Sequence, residues 1–203
     1  MPVVKEDYRE EQRLKVLKGA FECFYKNGYE LAKMDDIVTE SGISKGTIYK
    51  LFKSKEEIYI QLIEHISNVF LEELKQIVSQ YQTSKEKIAA LYTDYLLHGK
   101  EGNMKKSFIV QSEFELYSSR QAGFNEYLDK LRKAKNQFIA DLLTEGIQNG
   151  EFKKELDVTV YAEIFWSFVS GIMTQQLLYS NLFFEQIVNE EKKTFLKKIC
   201  VET

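Results

Sequence analysis

The chain has 203 residues, of which 44% are hydrophobic and 29% are charged, and its formal net charge is −3. This length and composition predict one or two small globular domains and exclude a disordered chain. The charge balance excludes a protein that is basic throughout, so any attraction for nucleic acid has to come from a local surface. The N-terminus is too charged for a signal peptide, and polar residues interrupt the most apolar region, 158–179, which predicts a buried helix and not a membrane span.

Apolar residues at helical spacing run through nearly every segment of the chain, beginning with Leu14, Leu17, Phe21 and Phe24. We therefore predict an all-α fold of about nine helices without a sheet. The predicted helices cover residues 9–27, 34–41, 45–51, 55–78, 84–99, 104–118, 121–148, 158–180 and 183–200.

The ends of these helices have recognisable signals. Gly28 and Gly42 are each expected to end a helix, and Gly28 can do so in the left-handed conformation. Ser44 and Ser54 are expected to cap the two helices that follow, and Asp157 the helix near 158. Thr83 and Glu86 have the spacing of a capping box, in which each side chain accepts a hydrogen bond from the other residue's backbone.

Residues 34–52 combine a short helix, a glycine turn and a second short helix, the order of a helix-turn-helix. Lys45, Lys50, Lys53 and Lys55 lie close together there, and no carboxylate stands between Glu40 and Glu56. Gly46 lies inside the second helix, where glycine costs about 1 kcal/mol relative to alanine. Its presence indicates either close packing or the close approach of a ligand.

The segment "GISKGTIYKLFKSKEEIY" resembles the recognition region of the tetracycline-repressor family of bacterial transcriptional regulators, and "FYKNGYE" and "MDDIVTESG" match the family's first two helices in spacing. This resemblance covers about residues 10–60. It implies a helix-turn-helix DNA-binding domain at 1–53 and a helical effector-binding and dimerisation domain at 54–203. It also implies a cytoplasmic homodimer that binds a palindromic operator in double-stranded DNA as a repressor and is released by a small molecule.

Residue by residue, the resemblance implies that Ser44 caps the recognition helix and that Lys45 and Thr47 read base edges. Gly46 then allows the helix to come close to the groove. The residues expected to hold phosphates are Lys33, Tyr49, Lys50 and Lys55, with Lys33 standing where the family often has a threonine. The role of Lys53 is left open: its side chain either faces only solvent or contacts DNA. The alternative is a solvated basic turn, or an all-α module that binds an acidic protein partner without DNA.

The resemblance also implies that the last two helices pair with their symmetry mates as a four-helix bundle. Helix 158–179 is apolar nearly all round, and its polar stripe consists mostly of small residues, which allow a partner helix to come close. The alternative is that both helices serve only the core of one chain. The predicted interface residues are Ser167, Ser170, Thr174, Phe184, Ile187, Val188 and Phe195.

The central helices are rich in aromatic residues, which favours an apolar or aromatic effector, although such residues are more often simply core. Polar residues on apolar faces are better pointers, because a buried polar group requires a partner. The candidate ligand-binding residues are Tyr92, Tyr95, His98, Gln111, Phe114 and Trp166.

An enzyme is not predicted. The two histidines, His65 and His98, have no cysteine or carboxylate at metal-ligand spacing, and the sequence has no phosphate loop or nucleophile elbow. No metal and no cofactor are expected.

Overall fold

The computed structural model describes residues 3–98, 101–121, 125–179 and 182–201. Within these ranges the chain is all-α: it forms nine α-helices and one π-helical segment, and it contains an isolated bridge between Phe152 and Cys200 but no longer strand. The helices are α1 (Val3–Leu31), α2 (Met34–Ser41), α3 (Lys45–Leu51), α4 (Lys55–Val78), α5 (Ser84–Ala90), the π-helical segment Leu91–Leu97, α6 (Glu101–Ser118), α7 (Asn125–Gln148), α8 (Val158–Tyr179) and α9 (Phe184–Ile199).

These elements confirm the predicted fold class, and several predicted caps are present. The Ser44 hydroxyl accepts from the Thr47 N–H at 3.3 Å, and the Ser54 hydroxyl accepts from the Glu57 N–H at 3.1 Å. Thr83 and Glu86 form the capping box at the start of α5, and Asp157 accepts from two backbone N–H groups at the start of α8. The predicted start of the helix 121–148 lies partly outside the described residues.

Two predictions about helices need correction. Gly28 has a positive φ of 73°, but its ψ of 159° lies outside the left-handed helical region, and one more turn of α1 follows it. The predicted helix 84–99 is also not α-helical throughout, because residues Leu91–Leu97 adopt the wider π-helical winding.

The described residues divide into two compact units. The first contains the described residues among 1–68 and 106–125, and the second contains those among 69–105 and 126–203, so α4 and α6 each contribute to both. The domain boundary predicted from the sequence, between residues 53 and 54, separates a DNA-binding from an effector-binding function, and it stays a prediction.

In the first unit, α1 and α2 cross closely at Gly19. A Cβ atom on Gly19 would lie 2.6 Å from the backbone nitrogen of Ser41, so this position accepts no side chain. An aromatic cluster fills the adjoining core: the Tyr29 ring stacks on Tyr59 at 4.3 Å, and Phe24 and Phe114 each lie 4.8 Å from Tyr59.

The second unit has its own core, in which the Tyr92 ring lies 5.3 Å from Phe165 and 6.0 Å from Phe195. The Glu151 carboxylate accepts from two N–H groups at the start of α5, at 3.0 and 2.9 Å. Among the described residues, no helix is both long and apolar enough to span a bilayer.

Candidate nucleic-acid interface

The turn between α2 and α3 holds the second helix in place. Gly42 adopts the left-handed conformation with a φ of 66°, and its N–H donates to the Val38 carbonyl at 3.0 Å. Ile37, Ile48 and Phe52 are buried, so the apolar side of this helix pair faces the core of the first unit. The opposite side of α3 consequently faces outward.

Two hydroxyl groups meet at the start of α3. Ser44 and Thr47 share a hydrogen bond of 2.9 Å between their side-chain oxygens, in addition to the capping bond. The Ser44 side chain is therefore occupied by the helix terminus, and the Thr47 hydroxyl is occupied by Ser44. The capping role predicted for Ser44 is confirmed by this geometry, and the base contact predicted for Thr47 stays a prediction.

Gly46 lies on this outward side, and no neighbour among the described residues explains it. A Cβ atom built on Gly46 would meet no heavy atom of these residues within 4 Å, and the residue's φ is not positive. Close packing within the chain, one of the two explanations offered by the sequence, therefore does not account for this glycine. The remaining explanation is the close approach of a molecule from outside the chain.

Lys45, the first residue of α3, is paired within the chain. Its Nζ lies 2.6 Å from the Asp35 Oδ1 on α2, and both side chains are mostly exposed, at 55% and 73%. The hydrogen bond with Asp35, together with the attraction between the charges, raises the pKa of Lys45, so the lysine is cationic at neutral pH.

Three more of the predicted contacts are exposed: Lys33, Tyr49 and Lys50. The Lys33 side chain makes no capping bond, and its backbone N–H donates instead to the Asp36 carboxylate at 2.8 Å. The phosphate contacts predicted for these residues stay predictions. Lys53 is also exposed, and its backbone N–H donates to the Glu57 carboxylate at 2.7 Å.

Lys55 has a different environment. Its Nζ donates to the carbonyl oxygens of Tyr29 at 2.7 Å and Ala32 at 2.8 Å, and it lies 4.4 Å from the centre of the Tyr29 ring. Burial lowers the pKa of this lysine. We therefore revise the interpretation of Lys55: its amino group caps the end of α1, because the last carbonyls of a helix lack partners and attract a cation.

The candidate ligand residues belong to different units. Phe114 is buried in the core of the first unit against Tyr59, and the Gln111 amide donates to Glu115 one turn further along α6. Those two are therefore not part of the group in the second unit, which comprises Tyr92, Tyr95, His98 and Trp166.

Within the second unit these four residues differ in exposure and partners. Tyr92 is fully buried, and its hydroxyl has no hydrogen-bond partner among the described residues. Burial raises the pKa of Tyr92, so its hydroxyl stays protonated. Tyr95 packs edge-on against Phe70, Trp166 donates to the Lys135 carbonyl at 3.0 Å, and His98 is exposed.

The candidate interface residues also divide. Ser167, Ser170, Thr174 and Ile187 are exposed and Phe184 is half-buried, as an interface with a second chain requires. Val188 and Phe195 are buried in the core of the second unit, with exposures of 0% and 1%, so we remove both from the interface. An apolar helix face alone does not indicate which partner covers it.

Three positions were missed by the sequence reasoning. Gly19 gave no signal apart from being a glycine inside a helix. Asp35 lies in the first turn of α2, where the helix dipole alone favours a carboxylate, although a cation in the first turn of α3 could have suggested a nearby carboxylate. Gly171 is exposed on α8 in line with the small residues already chosen, and spacing would have found it.

No group of three or more histidine, cysteine or acidic side chains suitable for a metal ion occurs within the described ranges.

A glycine turn, a capped second helix and exposed cations around Gly46 together define a helix-turn-helix protein that binds DNA. The family model described as "Bacterial regulatory proteins, tetR family" matches residues 16–62, and the one described as "Tetracyclin repressor-like, C-terminal domain" matches residues 92–185. The chain belongs to the tetracycline-repressor family of DNA-binding, ligand-responsive transcriptional regulators.

Named relatives and solved structures agree with this assignment. The chain is 28% identical to the "Fatty acid metabolism regulator protein" of Bacillus subtilis (strain 168) over 163 residues, which cover 79% of this chain and 81% of the relative. The fold is similar to that of a TetR-family transcriptional regulator from Cytophaga hutchinsonii, with a TM-score of 0.84 and 18% identity over 97% of this chain and 98% of that one. It is also similar to the regulator FadR from Bacillus subtilis in complex with stearoyl-CoA, with a TM-score of 0.69 and 23% identity over 90% and 97% of the two chains. These relatives are named as regulators, which confirms the prediction of a regulator and not an enzyme.

Proposed function

We propose that this regulator is a homodimeric repressor that binds a palindromic operator through α3 and leaves it when an apolar effector binds the second unit. It acts in the cytoplasm, where a bacterial regulator reaches the chromosome. The observation that carries the DNA-binding part is Gly46, an exposed helical glycine with open space where a side chain would be. A helix that lies deep in a major groove has a use for that space.

A second copy is required because one recognition helix reads too few base pairs to specify a site. Two recognition helices on one face of the duplex lie ~34–36 Å apart. A C2 dimer provides that arrangement and matches the symmetry of a palindrome. A small change in the separation or tilt of the two helices would prevent them from docking together, which is the release mechanism that we propose.

The α8 helix offers a surface for the second copy. Its exposed residues recur at alternating spacings of four and three, which is the pattern of a seam between paired helices. Gly171 lies on this seam, and no heavy atom of the described residues lies within 4 Å of a Cβ atom built on it, so a partner helix has room to come close. The seam consists of Val160, Ile164, Ser167, Gly171, Thr174 and Leu178.

The dimer is tested by placing a charge on the seam. Ile164→Glu is expected to convert the dimer into monomers in analytical ultracentrifugation, because a carboxylate would be buried there without a partner. Gln176→Glu is the matched control, since this residue is exposed on the same helix away from the seam. A dimer that survives Ile164→Glu would contradict the proposed interface.

The effector site is proposed around Tyr92. A buried hydroxyl without a partner costs about 1–3 kcal/mol, and a polar atom of a ligand could satisfy it. The surrounding rings of Phe165, Phe168 and Phe195 lie 5.3–6.0 Å from the Tyr92 ring and would contact an apolar portion of the same ligand. The similarity to a fatty acid metabolism regulator, and to a fold solved with stearoyl-CoA, supports an acyl chain as that portion.

Stearoyl-CoA and free coenzyme A are the matched probes for this site. Operator fragments are first selected from a genomic library with the wild-type protein, and each probe is then titrated into the protein–operator complex. Stearoyl-CoA is expected to release the DNA, whereas coenzyme A is not, because it lacks the acyl chain. Tyr92→Phe is expected to weaken the response to stearoyl-CoA and leave operator affinity unchanged. If both probes leave the complex intact, the acyl effector is rejected while operator binding stands.

A further inference from the structure

Lys45 occupies a position that disfavours a cation. It is the first residue of α3, where the unpaired N–H groups carry partial positive charge, and α3 has no acidic residue in its first turn. The compensating carboxylate comes from another helix, since Asp35 on α2 reaches Lys45 at 2.6 Å. The charge that the sequence assigns to base reading is thus already engaged in the free protein.

The two neighbouring aspartates of α2 have separate tasks. The Asp36 carboxylate accepts from the Lys33 N–H and so caps the start of α2. The Asp35 side chain is 73% exposed, and its hydrogen bond is to Lys45. An exposed ion pair contributes only about 0–1 kcal/mol to stability, and the dipole of α2 favours any carboxylate in its first turn, so neither explains why this carboxylate is paired with the recognition helix.

DNA binding gives a better reason. Non-specific affinity comes almost entirely from lysine and arginine contacts to phosphates. A free Lys45 would add one such contact on every duplex, whereas a paired Lys45 has to give up its carboxylate first. The Lys45 ammonium has three N–H donors, so it can donate to a base edge such as guanine O6/N7 while it stays paired with Asp35.

We propose that Asp35 is a specificity-determining residue, which holds Lys45 away from the phosphate backbone so that the lysine engages DNA only where a suitable base edge is presented. The Asp35 carboxylate lowers the affinity for non-operator DNA and has little effect on the affinity for the operator. The inference rests on the prediction that Lys45 faces the major groove.

The experiment compares the wild type with Asp35→Asn on two duplexes: poly(dA-dT), which has no guanine, and the operator selected from a genomic library. The variant is expected to bind poly(dA-dT) more tightly by up to about fivefold at ~0.1 M salt, the limit that the strength of an exposed ion pair sets, with a log–log salt slope steeper by up to about 0.9, the value for one added phosphate contact. Operator affinity is expected to change by less than about twofold, so the ratio of operator to non-specific affinity falls.

Two further variants show whether Lys45 mediates the effect. In a Lys45→Met background, Asp35→Asn is expected to leave the affinity for poly(dA-dT) unchanged. Glu40→Gln is the matched control, because it removes a carboxylate from the same helix and breaks an exposed ion pair of similar length, that with Lys26 at 2.7 Å. It is expected to change the slope less than Asp35→Asn does.

Three outcomes would overturn the proposal. The first is an unchanged affinity of Asp35→Asn for poly(dA-dT). The second is equal tightening in the Lys45→Met background, which would mean that Asp35 repels phosphates directly. The third is an equal change on both duplexes, or a loss of operator affinity with altered base preference, which would mean that Asp35 contacts the operator itself. Salt-dependent binding of the wild type to poly(dA-dT) tests DNA binding separately, so the two failures are distinguishable.

Discussion

Two surfaces of the first unit contain the same residue types in opposite roles. At the α1–α2 crossing and the end of α1, Gly19 and Lys55 face inward, where one allows backbone contact and the other satisfies carbonyl groups. On α3, Gly46 and Lys50 face outward, and nothing in the described chain explains the glycine. A glycine or lysine that faces outward is therefore a better indication of function than one that packs or bonds inside the chain.

The largest expected effect concerns the inward glycine. Gly19→Ala is expected to destabilise the protein by about 1–3 kcal/mol, because its methyl group would collide with the backbone of Ser41, which cannot move aside as a flexible side chain could. Chemical denaturation monitored by circular dichroism measures this change. If Gly19→Ala is as stable as the wild type, α1 and α2 cross less closely than described.

The inward lysine is expected to matter for stability and not for phosphate contact. Lys55→Met keeps the aliphatic stem but leaves the Tyr29 and Ala32 carbonyls without their donor, at an expected cost of about 1–3 kcal/mol. The log–log salt slope of DNA binding should stay at its wild-type value at temperatures where the variant is folded. A slope that falls by about 0.9 would instead restore the phosphate contact inferred from the sequence.

The outward lysine is expected to show the reverse behaviour. Lys50→Ala should leave the unfolding free energy within ~0.5 kcal/mol of the wild type, because Lys50 is exposed. Its affinity should fall about eightfold at ~0.1 M salt on operator and non-operator DNA alike, since a phosphate contact carries no sequence information. Lys154→Ala, which removes an exposed lysine from the second unit, is the control and should leave DNA affinity unchanged.

The sequence predicted the helix-turn-helix to the residue, with helices at 34–41 and 45–51 that match Met34–Ser41 and Lys45–Leu51. These boundaries are set locally, by a left-handed glycine and a serine cap, and local chemistry can be read from sequence. The orientation of the Lys55 side chain could not be predicted, because the carbonyl groups that its amino group binds lie more than twenty positions away in the chain.

The second unit was predicted less well for a related reason. Val188 and Phe195 have the spacing of an interface, but the same spacing also suits the core in which they lie. Helical period defines which residues share a face, whereas the partner of that face depends on long-range packing. The open environment of Gly46 and the pairing of Lys45 with Asp35 likewise required the structure.

The central claim is that Gly46 marks the closest approach to DNA, and Gly46→Ala tests it most directly when stability and DNA affinity are measured on the same preparation. The added methyl group has open space in the free protein, so the variant should be as stable as the wild type or more stable by up to about 1 kcal/mol. Operator affinity should fall by about 1–3 kcal/mol, or roughly five- to 150-fold, because the methyl group would overpack the interface. A stable Gly46→Ala protein that binds its operator as tightly as the wild type would contradict the account.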